Sequence, residues 1–130
     1  MRVLECEVPR IGFGGCPMGR HAWGPTSEAD LIAAVRLALD RGITFFDTAD
    51  IYGLGQSEII LGRGLEGRRN EAVVATKFGV RIESGRTFYD TSPGWIRQAL
   101  EASLTRLKTD VIDLYQMHYW DQVTQLDDVF

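Results

Sequence analysis

The sequence predicts an α/β fold of parallel strands joined by helices, on three observations. Short runs of apolar and β-forming residues at 8–13, 43–47, 72–76 and 111–117 alternate with segments whose apolar residues recur at helical spacing. Glycine, proline and serine punctuate the boundaries between them. With 45% hydrophobic and 25% charged residues, the 130-residue chain has the composition of one globular domain, which excludes a disordered tail.

The first run, 8–13, ends at Gly14 and Gly15, and a loop over 16–26 follows with Gly19, Gly24 and Pro25. Ser27 is placed to cap a helix, with Asp30 three residues on. Leu31, Ala34, Val35, Ala38 and Leu39 then share one face, and Gly42 is placed to end the helix. The second run, 43–47, gives way abruptly to acidic and polar residues. A short helix over 57–65, beginning Ser57-Glu58 and closed by Gly67, leads to the third run, 72–76, which Lys77 ends. A loop holding Gly79, Gly85 and Asp90 precedes Ser92-Pro93, a helix start with proline where its missing N–H is harmless. Ile96, Ala99, Leu100, Ser103, Leu104 and Leu107 keep helical spacing. The fourth run, 111–117, is nearly continuous in apolar and β-forming residues, as for a strand buried on both faces, and His118 follows it. Residues 123–130 resemble the start of another helix.

Strands joined by helices imply parallel neighbours with right-handed crossovers, so the sheet lies between helices or inside a ring of them. Asp47, Lys77 and His118 then stand at or just past the C-terminal ends of three different strands, the edge where α/β sheets do their chemistry. Taken singly, each fits a capping, surface or loop role. Together with Tyr52, five residues after Asp47, they suit proton donation to a carbonyl oxygen. A tyrosine is a poor acid at neutral pH unless its phenolate is stabilised, which a lysine ammonium does. Lys77 is expected to stabilise the Tyr52 phenolate, Asp47 to hold Lys77 charged and oriented, and His118 to hydrogen-bond the same substrate oxygen. None of the four is a hydride source, so a redox reaction requires a nicotinamide cofactor.

The segment Phe46-Asp47-Thr48-Ala49-Asp50-Ile51-Tyr52-Gly53, with Ser57-Glu58 and Leu61-Gly62 behind it, resembles the signature of the aldo-keto reductase family. Ala75-Thr76-Lys77 and Asp113-Leu114-Tyr115-Gln116-Met117-His118 are similar to that family's lysine and histidine segments, and Ile11-Gly12-Phe13-Gly14-Gly15 completes the order. The resemblance implies a (β/α)8 TIM-barrel-type fold truncated to about its first four βα units. Residues 1–130 would be its N-terminal half, ending inside or before the fourth barrel helix. It also implies a catalytic tetrad of Asp47, Tyr52, Lys77 and His118, with Tyr52 as proton donor. The enzyme implied is an NADPH-dependent oxidoreductase interconverting a carbonyl (aldehyde, ketone or sugar) and an alcohol. NADH is the alternative cofactor, and no metal is expected. By the same resemblance Gly15, Cys16 and Asp47 lie near the nicotinamide ribose, and Trp23 and Trp120 line the substrate pocket. The family binds its cofactor without a Gly-x-Gly-x-x-Gly turn, and Gly12-Phe13-Gly14-Gly15 does not have that spacing. The family's main cofactor grip lies in the other half of the barrel. Two alternatives follow: a half-barrel interaction module, pairing with itself or with a complementary C-terminal half, and a noncatalytic NADPH-sensing subunit.

Fourteen basic against eighteen acidic side chains leave a net charge of -4 with no basic run, which argues against nucleic acid as a partner. No apolar stretch approaches the roughly 18 residues of a membrane helix, and Glu5 and Glu7 stand where a leader would be basic and then apolar. The chain is read as soluble and cytoplasmic, with Cys6 and Cys16 as reduced thiols.

Overall fold

A computed structural model describes residues 2–3, 6–20 and 23–130, with side chains from Val8 onward within those spans. Glu5 and the side chains of Cys6 and Glu7 lie outside the described residues. β1 (Arg2–Val3) and β2 (Cys6–Glu7) pair antiparallel. Next come β3 (Phe13–Gly14), a 3₁₀ turn (Cys16–Gly19) and α1 (Glu28–Asp40). Ser27 caps α1 as its sequence predicts, its hydroxyl accepting from Asp30 N–H at 3.4 Å. β4 (Phe45–Asp47), α2 (Gln56–Gly64) and β5 (Val73–Phe78) follow, then β6 (Val80–Glu83) and β7 (Arg86–Tyr89). α3 (Pro93–Leu107), β8 (Leu114–Met117) and α4 (Leu126–Val129) complete the order.

β3, β4, β5 and β8 form one parallel sheet in that order, with Gly14 opposite Asp47, Asp47 opposite Ala75, and Lys77 opposite Gln116. Phe46 and Val74, both fully buried, pack against Val35 of α1, Ile60 and Leu61 of α2 and Leu107 of α3. Side chains alternate along a strand, so Asp47, Ala75 and Lys77 point to the opposite face from that helical layer. α2 rests directly on the end of α3: a methyl group at Gly62 would fall 2.6 Å from the Leu107 carbonyl oxygen. Among the described residues no helix is long and apolar enough to cross a membrane.

Four elements differ from expectation. Within the run 8–13 only Phe13 joins the sheet, which Gly14 then extends. Lys77 does not end the third run. β5 continues to Phe78, because the Lys77 ammonium is paired at the site and Phe78 packs on the Tyr115 ring with centroids 4.7 Å apart. The loop expected over Gly79 and Gly85 is a hairpin, β6 and β7, turning on Ser84 and Gly85 with φ of 51° and 74°, the left-handed pair that two-residue hairpins favour. The fourth run pairs only over β8, which is half-buried along its length, not covered on both faces; among the described residues it is the edge strand, next to β5. Just before it, Asp113 extends the ladder with its side chain: its N–H donates to the Val74 carbonyl at 3.1 Å, while its carboxylate accepts from Val74 N–H at 2.8 Å and from Arg69 at 2.6 Å.

Candidate active site

Each polar residue at the sheet's C-terminal rim is placed by a backbone contact. Asp47 ends β4, and its carbonyl accepts from Gly15 N–H at 2.7 Å, while Thr48 N–H donates to the Ala75 carbonyl at 2.9 Å. His118 follows β8 and donates its N–H to the Phe78 carbonyl at 2.8 Å. Tyr52 lies in the turn between β4 and α2, where its N–H reaches the Ala49 carbonyl at 3.2 Å. That turn is seated on the 3₁₀ turn: a methyl group at Gly19 would fall 2.6 Å from Gly53 N and 2.7 Å from the Tyr52 carbonyl carbon, so a glycine is needed for the two backbones to meet.

The Lys77 side chain is 14% exposed, and a charge so withdrawn from water requires partners. Its ammonium has three donors and three acceptors around it: Asp47 Oδ2 at 2.7 Å, the Thr48 carbonyl at 2.7 Å and the Tyr52 hydroxyl at 3.5 Å. Asp47 also accepts on Oδ1 from Gln116 Nε2 at 3.3 Å. The His118 and Tyr52 rings meet edge to face with centroids 5.8 Å apart, and Tyr119 stacks on His118 at 4.7 Å. Burial, then the Lys77 charge, holds the His118 imidazole below its usual range against an opposing pull from Asp47, so it is neutral at pH 7. His118 Nδ1 is buried without a partner among the described residues.

The four residues expected to be catalytic therefore converge on one rim. Gly15 is buried beneath it, where Ser57 gives its single hydroxyl proton to the Gly15 carbonyl at 2.8 Å. Thr48 Oγ1, 2.8 Å from Ser57 Oγ, must then be the donor of that second bond. The buried hydroxyl chain ties the loop after β3 to the Tyr52 turn. Cys16 is exposed in a cleft of about 650 Å³ that Tyr52, Arg20, Ile51, Leu54 and Ile82 also line. Trp23 is 59% exposed, and Trp120 donates its indole N–H to the Thr124 carbonyl of its own loop at 2.9 Å; neither lines that cleft.

Gln116 is a site residue not singled out from the sequence, although it lies in the segment that ends at His118. Glu58, by sequence a helix-start residue, is fully buried behind the rim. Nearby, burial first and then the Glu58 charge push the Asp50 carboxyl up to about 7, and Asp50 Oδ1 has no partner among the described residues.

A cleft opens beside Asp47. Nothing stands within 4 Å of where a side chain at Gly14 would be, and Gly12, Gly14, Phe45 and Asp47 border a cleft of about 310 Å³. A half-exposed carboxylate next to an unobstructed glycine suits the hydroxyl groups of a ribose.

Comparison with known proteins places this arrangement. Residues 10–130 match the Aldo/keto reductase family. The chain is 43% identical over 133 residues to aldo-keto reductase yakc [NADP(+)] of Schizosaccharomyces pombe, covering 98% of this chain and 38% of the relative. It is 40% identical over 124 residues to aldo-keto reductase YhdN of Bacillus subtilis, covering 94% and 38%. The solved holo form of aldo-keto reductase AKR11C1 from Bacillus halodurans superposes with a TM-score of 0.85 at 35% identity, over 96% of this chain and 41% of that one. The chain thus spans about two fifths of the length of these relatives, and its parallel sheet with three helices on one face corresponds to four βα units of their (β/α)8 barrel. Fold and the match across 10–130 agree: the chain belongs to the aldo/keto reductase family.

Proposed function

We propose that this chain carries the proton-transfer apparatus of an NADPH-dependent interconversion of a small carbonyl compound and its alcohol. The observation that carries the reading is the Lys77 ammonium, paired with Asp47 at 2.7 Å and set 3.5 Å from the Tyr52 hydroxyl. As negative charge develops on the carbonyl oxygen, the Tyr52 hydroxyl gives it a proton, and the phenolate left behind lies beside the Lys77 cation. Asp47 keeps that cation oriented. His118, neutral, hydrogen-bonds the same oxygen. The cleft walled by Ile51, Leu54 and Ile82 receives the substrate's body. Asp47, with Gly15 and Cys16 in the loop after β3, would hold the nicotinamide ribose, and NADPH supplies the hydride when bound. In the reverse direction the phenolate accepts the alcohol's proton.

The sheet's order ends at β3 and β8, and these two edges favour a second reading, in which they pair with further strands from a second copy or a complementary C-terminal half. One experiment separates the readings: NADPH consumption with a panel of aldehydes, with association state recorded on the same sample. Consumption matched by alcohol formed supports the enzyme. A folded chain that forms a discrete assembly and consumes no NADPH favours the interaction module.

A further inference from the structure

Glu58 and Arg106 form the ion pair that backs onto the tetrad without belonging to it. Glu58, on α2, is fully buried, an unusual place for a carboxylate unless its oxygens are engaged. Oε1 accepts from the Thr76 hydroxyl at 2.6 Å, and Oε2 accepts from Arg106 Nε of α3 at 2.6 Å. Arg106 is itself anchored, donating from Nη2 to the buried Ser103 hydroxyl at 3.1 Å. A buried ion pair adds little net stability compared with packed apolar side chains, so stability alone does not explain it.

Each partner leads to a tetrad residue. Thr76 precedes Lys77 in β5, and successive strand residues face opposite ways, so holding Thr76 toward α2 aims Lys77 at the site. Arg106 lies against Gly55, where an added methyl would fall 2.5 Å from Cδ and 2.8 Å from Nε; Gly55 caps α2 three residues after Tyr52. Ser57 N–H, beside Glu58, returns to the Tyr52 carbonyl at 3.2 Å. The margin at the site is narrow, because 3.5 Å between Lys77 Nζ and the Tyr52 hydroxyl is the outer limit of a hydrogen bond.

We propose that Glu58 is a positioning residue: its carboxylate, tied to Thr76 and Arg106, sets the spacing between Lys77 and Tyr52. The inference rests on the Tyr52 reading above, but its test needs no turnover. The chain has two lysines, Lys77 with its ammonium 5.0 Å from the centre of the Tyr52 ring and Lys108 on the surface, so their ε-methylene signals resolve by NMR in the full chain. Tyr52→Leu supplies the position Lys77 takes without the ring. In Glu58→Gln and in Thr76→Val, the Lys77 signals should move more than half way to that position while Lys108 stays; Arg106→Lys, which keeps a cation for Glu58, should move them less. Lys77 signals that stay at their original position in the folded variants overturn the proposal even if the unfolding midpoint falls, since a merely structural role predicts that outcome. Where Glu58→Gln does not fold, Thr76→Val, which leaves the ion pair intact, decides alone. Failure of the Tyr52 reading would appear instead in the turnover of Tyr52→Phe, and the Lys77 shifts would stand.

Discussion

Lys77 reaches Tyr52 from the neighbouring strand: Nζ is 3.5 Å from the phenolic oxygen and 5.0 Å from the centre of the ring. The cation thus faces both the atom that would carry negative charge after proton transfer and the electron-rich ring beside it. Asp47 and the Thr48 carbonyl hold it there, each at 2.7 Å.

Lys77→Met should remove that stabilisation while leaving the sheet intact, because the methylene stem is replaced in kind. NADPH-dependent carbonyl reduction is expected to fall by roughly 10²–10⁴-fold, the range of a positioned acid–base group. Steady-state rates at saturating substrate check this, and an undiminished rate would make Lys77 a structural residue only.

Asp50 should make stability fall with rising pH. Its carboxyl is raised from 3.8 to about 7 in the folded chain, so between those values the folded state holds a proton that the unfolded state has released. Stability therefore drops as pH climbs through that window and levels off above it. The difference in denaturant midpoint between the original chain and Asp50→Asn should change with this slope across pH 4 to 8, since the His118 contribution is common to both; an unchanging difference would overturn it.

His118 works with the opposite sign. Its folded imidazole titrates below the usual 6.5, so on acidification the unfolded state takes up the proton first and stability falls. An NMR titration of the His118 ring should give a midpoint below that of a free histidine. A midpoint above it would show that the Asp47 carboxylate outweighs burial and the Lys77 charge.

Ser57→Ala breaks the buried chain that runs from Thr48 through Ser57 to the Gly15 carbonyl. It leaves a donor and an acceptor unpaired out of water, and should cost about 1–3 kcal/mol. Urea unfolding measures the loss; a variant of equal stability would mean that water replaces the hydroxyl.

Much of the sheet and of the rim is legible in the sequence, for a physical reason. Asp47, Lys77 and His118 each follow or sit within an apolar run, and a parallel sheet carries the ends of its strands to one edge, so spacing alone brings them together. Lys77 misleads as a strand end because a charge reads as surface until its partners are known. The β6–β7 hairpin is hidden by Gly79, Gly85 and Asp90, which read as loop, although Ser84-Gly85 is a hairpin turn. Gln116 and Glu58 stand inside the segments that carry the family resemblance, but their contacts with Asp47 and Arg106 are not legible there, since these come from register and from packing between helices distant in sequence.

The most direct test of the central claim compares the chain with Tyr52→Phe, following NADPH-dependent carbonyl reduction and NADPH binding by fluorescence on the same samples. If the phenol supplies the proton and the ribose contacts lie elsewhere, removal of one hydroxyl should lower the reduction rate by roughly 10²–10⁴-fold while cofactor binding persists. Equal rates in the two proteins would contradict the assignment of Tyr52 as the proton donor.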